Sequence, residues 1–259
     1  MLSGKTRTLR EWSQKIAYET NALAIRALHI LTPYDCVLCG GNSSGGGNLC
    51  SICSKDLPLI RQPCQYCGVE TAQSADQLLC GPCILKKPVF NRCVAVMSYA
   101  SPADQLISQF KFNANFAAGL ALGEILALGF KSHCDFHGYP DAIIPIPLHQ
   151  LRLKKRGFNQ ALEIAKQLSS STGVPVFNNT LTRIKNTVPQ TEIKRAGLRR
   201  SNLKKAFTCI DLLSHSNAKN IALVDDVVTT GATLNEAARA LFIGGAERVD
   251  CFCIARANR

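Results

Sequence analysis

Eight of the thirteen cysteines stand in four Cys-x-x-Cys pairs: Cys36/Cys39, Cys50/Cys53, Cys64/Cys67 and Cys80/Cys83. Ten, ten and twelve residues separate successive pairs, so all four fall within 48 residues. One such turn brings two thiolates to one ion, and a second completes a tetrahedron around Zn²⁺. Gly40 and Gly68 follow the first and third pairs and suit the left-handed turn of a zinc knuckle. The simplest arrangement puts Cys36, Cys39, Cys50 and Cys53 on one ion and Cys64, Cys67, Cys80 and Cys83 on another. Interleaved pairing stays open at this point. Four sulfurs close each site, which predicts two structural zinc ions and no catalytic one. Residues 34–88 hold too little apolar sequence to fold unaided, so the metal stands in for a core. A thioredoxin-type dithiol needs a single pair beside a strand–helix pattern and fits poorly.

Charge narrows the class of partner. Thirty Lys and Arg against eighteen Asp and Glu leave a net charge of +12. Residues 150–205 alone carry thirteen basic residues against Glu163 and Glu192, which is nearly the whole imbalance. Such a stretch points to anionic partners, either phosphorylated small molecules or nucleic acid. No run approaches the length of a membrane span: the nearest, 21–31, is broken by Arg26 and His29. No cleavage-site pattern follows it. With thiolate metal sites, this predicts a cytoplasmic protein.

The apolar pattern divides the chain. Residues 8–31 follow the helical period and stop at Pro33, which predicts an N-terminal helical extension over 1–33. The Gly/Ser run 40–47 reads as a mobile ribbon tip. Beyond Pro88 the composition changes, giving expected units of 1–33, 34–88 and 89–259. Strand patterns at 93–99, 142–146, 221–224 and 249–254 alternate with helical patterns at 102–130, 159–169 and 233–243. Strands alternating with helices predict an α/β fold with a parallel sheet flanked by helices, preceded by a small zinc-ribbon module with four cysteines to each ion. Cys251 and Cys253 alternate with Phe252 and Ile254 in the last strand, where they pack as small apolar groups. Ligands of such sheets bind where strand C-termini meet helix N-termini. Two loops therefore matter, one after Ile146 and one after Val224.

The second loop carries the chemistry. Ile221-Ala222-Leu223-Val224 is a buried strand, and Asp225 and Asp226 stand at its exposed end. Val227, Val228, Thr229, Thr230, Gly231, Ala232 and Thr233 then form a small, hydroxyl-rich turn into a helix. Backbone N–H groups at a helix start, with threonine hydroxyls alongside, suit a phosphate group. Gly231 lets the chain approach the ligand closely. Two carboxylates upstream would repel that phosphate unless something hydroxylated or metal-bound lay between them. A ribose phosphate fits: the 5′-phosphate in the turn, the 2′ and 3′ hydroxyls on Asp225 and Asp226. Neither a Walker A loop nor a Gly-x-Gly-x-x-Gly fingerprint is present.

Residues 221–233 resemble the phosphoribosyl pyrophosphate (PRPP) signature of type I phosphoribosyltransferases. Three further stretches resemble the ComF family (competence protein ComF and GntX-like proteins) within that fold. They are Pro145-Ile146-Pro147-Leu148 with Arg156-Gly157-Phe158-Asn159-Gln160, then Thr187-Val188-Pro189-Gln190, then residues 199–202 with Ala206-Phe207. The cysteine ribbon is similar too, so the resemblance covers about residues 34–259. It implies that Asp225 and Asp226 are the catalytic pair on the ribose hydroxyls and that residues 227–233 cradle the 5′-phosphate. Ile146, Pro147, Leu148 and His149 would receive the pyrophosphate with Mg²⁺, and Arg152, Lys154, Lys155 and Arg156 would form the mobile basic segment near it. Mg²⁺ and these cations would stabilise charge on the leaving pyrophosphate. Thr229 stands where purine-salvage members of the fold have an Asp that handles a proton on the base. Transfer to hypoxanthine or guanine is therefore disfavoured.

Two functions follow from the resemblance. One is a PRPP-dependent transferase, a pentosyl-transfer enzyme of nucleotide metabolism. The other is a non-enzymatic accessory protein that binds single-stranded DNA during DNA uptake, alongside a DNA-uptake helicase and recombination-loading proteins. A phosphoribosyl-binding fold also serves in regulatory roles without catalysis. The basic segment has little aromatic interleaving, with Phe158 and Phe207 its main stacking candidates, so base stacking is not expected as the principal grip. A role in gluconate or sugar metabolism has no residue-level support.

Overall fold

The computed structural model describes residues 35–43, 47–71, 78–185, 205–210, 212 and 216–257. The expected helix over 8–31 and the motif residues 187–190 and 199–202 lie outside them, as do residues 44–46 of the Gly/Ser run. The chain divides into two compact units, Met1–Ser54 and Lys55–Arg259. The first holds the cysteine cluster that ends at Cys53. The second holds the other cluster together with the α/β domain.

Four parallel strands form the sheet: β1 (Arg92–Ser98), β2 (Ala142–Pro145), β5 (Asn220–Val228) and β6 (Arg248–Arg256). Their spatial order is β1-β6-β5-β2. A separate antiparallel pair joins β3 (Leu181–Arg183) to β4 (Phe207–Cys209). The central strands are buried on both sides: Ile221 to Val224 and Val249 to Ala255 are buried throughout, apolar except for Asp250, which pairs with His133 at 3.0 Å and Arg248 at 2.7 Å. That two-sided burial is what a parallel sheet covered by helices demands. Successive side chains point to opposite faces. Phe252 therefore stacks on Phe130 of the helix Phe116–His137, ring centroids 4.6 Å apart. Its neighbours Cys251 and Cys253 pack on the other face with Leu234, Ala237 and Leu241. Both thiols are fully buried, as small apolar groups.

Six described helices belong with these strands, and a further one begins in the first unit. That one is α1 (Ser51–Lys55); α2 (Gly81–Leu85) lies beside the second cluster. The helical pattern expected over 102–130 is two helices, α3 (Ala103–Asn113) and α4 (Phe116–His137). Ala114 turns left-handed at φ 50°, and the Asn115 side chain accepts the Ala118 N–H at 3.1 Å. An N-cap asparagine thus starts a new helix where apolar periodicity alone runs on. A Cβ on Gly119 would sit 2.5 Å from the Phe110 ring, so the missing side chain is what lets α3 lie against α4. The remaining helices are α5 (Gln150–Arg156), α6 (Gln160–Thr172) and α7 (Ala232–Ile243). Leu122, Leu126, Ile164 and Leu168 are fully buried in the α4–α6 layer.

The strand expected over 221–224 runs on to Val228. Ladder pairing carries it past the two carboxylates: Asp225 is opposite Cys253, Val227 opposite Ala255 and Val228 opposite Arg256. Phe252→Ala should cost about 3–5 kcal/mol, the usual range for emptying a fully buried aromatic site. Chemical denaturation would read this as a lower midpoint with unchanged slope.

Candidate functional site

The four sulfurs of Cys36, Cys39, Cys50 and Cys53 lie within 4.8 Å of one another, and so do those of Cys64, Cys67, Cys80 and Cys83. The pairing is therefore sequential. Four sulfurs bound at about 2.3 Å in a tetrahedron stand about 3.8 Å apart. Cys39 Sγ to Cys50 Sγ is 3.9 Å and Cys67 Sγ to Cys80 Sγ is 3.5 Å, so the donor sets fit one zinc each. Backbone N–H groups aim at the sulfurs as well: Gly41 at Cys39, Cys53 at Cys50 and Cys80 at Cys64, at 3.3 to 3.4 Å. Burial pushes the Cys64 thiol up, but backbone N–H donors such as that of Cys80 outweigh it and bring it to about 7. Cys36 comes to about 6 by the same balance. In each cluster one sulfur is thereby shifted toward the thiolate form that binds a cation.

At the far end of β5 the two carboxylates diverge. Asp226 Oδ2 pairs with Lys111 Nζ of α3 at 3.0 Å. Asp225 accepts the Asp226 N–H at 2.9 Å. Burial, then the charge of Asp226, pushes the Asp225 carboxyl up to about 7, against the pull of Lys111 and Arg183. Arg183, on β3, is held down to about 10 by burial and by the charge of Arg152, with Asp225 acting in the opposite sense. Two acids and three cations, Lys111, Arg152 and Arg183, therefore share one electrostatic neighbourhood.

Between Val228 and α7 only Thr229, Thr230 and Gly231 remain as loop. Val227 and Val228 belong to β5, and Ala232 and Thr233 to the first turn of α7. Gly231 sits at φ 73°, a conformation that a side chain would strain. Its carbonyl accepts both the N–H and the side-chain amide of Asn235, each at 2.9 Å. The Thr230 hydroxyl accepts the Ala232 N–H at 3.3 Å. This is a tight strand-to-helix turn in which Gly231 and Ala232 are buried and Thr229, Thr230 and Thr233 are half-buried; a turn into a helix N-terminus is the geometry that favours a phosphate.

The loop after β2 is adjacent, because Ile146 N donates to Val224 O at 2.8 Å. Pro147 and Leu148 lead to His149, the N-cap of α5, whose Nδ1 accepts the Leu151 N–H at 3.3 Å. The Asn159 side chain donates to Ile146 O at 3.1 Å and caps α6. Arg156 donates to Gln160 Oε1 at 2.8 Å and stands 5.7 Å over the Phe112 ring. Lys154 and Lys155 are exposed.

Sequence reasoning passed over Lys111, Asn235 and Arg256, and met Arg183 only as bulk charge. Lys111 lies more than a hundred residues before Asp226, so no local pattern signals it. Arg256, 4% exposed, ends an apolar strand and reads as a solvated terminus. Its guanidinium instead donates to Val228 O, Thr229 O and Ala257 O, and its Nε to Cys67 O at 3.1 Å. Phe112 and Phe116, 73% and 52% exposed, also escaped notice, because they lie outside the basic segment in sequence.

A family model described as "Double zinc ribbon domain" matches residues 27–84, and one described as "Phosphoribosyl transferase domain" matches residues 130–259. Competence protein F of Haemophilus influenzae is 36% identical over 227 residues, covering 86% of this chain and 97% of that one. DNA utilization protein YhgH of Escherichia coli K12 is 35% identical, covering 82% and 92%. Competence protein ComFC of Bacillus subtilis is 30% identical, covering 89% and 88%. Among solved structures, the glutamine PRPP amidotransferase of B. subtilis with ADP and GMP is 16% identical at a TM-score of 0.35. It covers 56% of this chain and 30% of that one, a likeness too low to carry an argument. Among the described residues no helix is long and apolar enough to cross a membrane.

Two outcomes are expected. Metal analysis should find two zinc ions per chain, and Cys83→Ser should leave one. The second concerns pH. Asp225 has a carboxyl near 4 when unfolded and about 7 when folded, so the folded state holds a proton that the unfolded state has released. The stability from this group is complete below pH about 4 and is lost as pH rises through about 7. Melting temperatures of wild type should therefore fall more steeply than those of Asp225→Asn between pH about 5 and about 8, with the variant the more stable at the upper end.

Proposed function

The chain belongs to the competence protein F family, which joins a double zinc ribbon to a phosphoribosyltransferase domain, and from that membership we propose that it binds PRPP or a related ribose phosphate with Mg²⁺ and serves DNA uptake or the use of external DNA. One observation carries the ligand reading. Asp225 and Asp226 lie near the end of a strand whose last residue, Val228, is three residues from a helix N-terminus, with Lys111, Arg152 and Arg183 in their electrostatic neighbourhood. A sugar hydroxyl donates to a carboxylate, and a phosphate accepts from helix-terminal N–H groups. A sugar phosphate presents both.

Each residue has a task in this reading. Asp225 and Asp226 would hold the ribose hydroxyls, and Asp226 would give up part of its pairing with Lys111 to do so. Thr229, Thr230 and the N–H groups of Gly231, Ala232 and Thr233 would hold the 5′-phosphate. Residues 146–149 and the cations of α5 would meet the pyrophosphate. Mg²⁺, on carboxylate and pyrophosphate oxygens, would supply charge neutralisation. Thr229 has no basicity to offer a purine, so the acceptor is not assigned to hypoxanthine or guanine.

A second reading, direct contact with single-stranded DNA, has its own observation. The exposed rings of Phe112 and Phe116 lie beside the basic helix α5, with Phe116 packed on Phe158 at 5.1 Å and Arg156 over Phe112. Aromatic rings next to cations are what successive bases and their phosphates need. The fold thus supplies the interleaving that the linear basic segment lacks. The helicase and recombination-loading partners rest on the family's role alone.

Calorimetric titration of PRPP with Mg²⁺ should give binding in wild type and at least a tenfold loss in Asp225→Asn and Asp226→Asn. A wild type that binds no PRPP ends the first reading. For DNA, affinity should fall steeply with salt. The pair Phe112→Ala and Phe116→Ala should weaken it by about 1–3 kcal/mol for each base unstacked. Affinity indifferent to both ends the second.

A further inference from the structure

The arginine at the end of β6 is buried against backbone rather than against an acid. Arg256 is 4% exposed, and among the described residues its bonds go to backbone carbonyls of two different parts of the molecule. Nη1 takes the carbonyls of Val228 and Thr229, the last residue of β5 and the first of the turn into α7. Nε takes the carbonyl of Cys67, a member of the second cysteine cluster. A guanidinium is a rigid planar fork. Fixing one set of carbonyls therefore fixes the other relative to it.

The consequence for the turn follows from peptide geometry. A carbonyl directed at Arg256 turns the N–H of the following residue the opposite way across the trans peptide. The Val228 carbonyl, which also accepts the Ala257 N–H at 2.9 Å, and the Thr229 carbonyl, held by Arg256, thus orient the N–H groups of Thr229 and Thr230 away from the arginine. A second brace runs in parallel. Asn235 accepts the Val89 N–H at 2.6 Å while its own N–H groups hold Gly231 O. Val89 lies in the segment that joins Cys83 to β1. Both ends of the turn are thereby tied to the second cluster or its connection.

The cluster itself is seated firmly on the sheet. A Cβ on Gly68, the residue after Cys67, would stand 2.7 Å from Cys93 O and 3.2 Å from Ala95 N. The knuckle therefore lies directly on β1 backbone. Ile60 N donates to Val96 O and Ser98 N to Pro58 O, which continue this attachment. A zinc ion held by the four thiolates would fix the Cys67 backbone and with it the direction of the Cys67 carbonyl. Without the ion, like charges and buried thiols oppose that arrangement.

We propose that Arg256, seconded by Asn235, is a positioning residue that carries the order of the second cysteine cluster into the turn 229–231, so that affinity for a sugar phosphate rises and falls with metal occupancy of that cluster. The affinity clause rests on the reading of the turn as a ribose-phosphate site; the mechanical coupling does not. Its role differs from filling space, because it predicts that two distant perturbations act through one path.

The test uses the full-length protein in four forms: wild type, Arg256→Gln, Cys83→Ser and the double variant. Hydrogen exchange is read at residues 228–233, with residues 221–224 of β5 as internal control. Ribose 5-phosphate with Mg²⁺ is titrated in parallel. Each single variant should speed exchange at 228–233 and weaken the sugar phosphate by at least tenfold, with the β5 control unchanged. The double variant should be less than twofold worse than either single one, and Arg256→Gln should keep both zinc ions. Arg256→Lys, which retains the charge and part of the donor set, should recover part of the loss, and it replaces Arg256→Gln in the comparison should that variant not fold. Arg239→Gln, which removes an exposed charge from α7, should change neither readout. Independent, multiplying effects of Arg256→Gln and Cys83→Ser would overturn the coupling, as would normal exchange at 228–233 in Cys83→Ser. A wild type that ignores ribose 5-phosphate would remove the ligand reading, while the exchange comparison would still decide the coupling.

Discussion

The parallel pairing of β5 with β6 beyond the apolar core sets everything at the candidate site. Had the ladder ended at Val224, the carboxylates would sit on a free loop. Instead it runs to Val228 opposite Arg256, and a strand in a ladder has no freedom to reorient its side chains. Asp225 and Asp226 are thereby fixed at the rim, the turn is cut to three residues, and Arg256 comes level with the carbonyls it holds. The ladder converts a flexible polar segment into a shaped one.

The electrostatics of that rim reflect its burial. A carboxylate beside another carboxylate, partly removed from water, gives up its charge readily, and Asp225 does so near neutrality. Lys111 relieves Asp226, and Arg183 lies close enough for its own charge to be weakened by burial and by Arg152. Such a balance costs stability near neutral pH. It matches the proposed site, where sugar hydroxyls and a cation would arrive together. In the cysteine clusters one sulfur each, Cys36 and Cys64, is favoured as thiolate by backbone N–H groups, whereas burial and the charge of Cys64 push the Cys67 thiol up to about 11.

Much of this was legible in the linear chain. Cysteine spacing is local, and so the two clusters could be read directly; only the choice between sequential and interleaved pairing needed coordinates. The parallel α/β class followed from alternating apolar runs, and the family from short motifs. What escaped was long-range or conformational. The break at Ala114 depends on one capping asparagine inside continuous helical periodicity. The extension of β5 through two aspartates defies propensity and is decided by the partner strand. Lys111, Asn235 and Arg256 meet the turn from other elements, and nothing in their own neighbourhoods announces it. The exposed phenylalanines are hidden for a similar reason: they lie outside the basic segment along the chain, and α3 and α4 bring them in from the side.

The void at Gly119 that admits the Phe110 ring has a genealogical meaning. The two positions behave as lock and key in size alone, so drift at one is yoked to drift at the other. A descendant that gained even a methyl group at 119 would have to trade the ring at 110 for something slimmer, or lever away the corner that bears Lys111 and, with it, the counter-charge of Asp226.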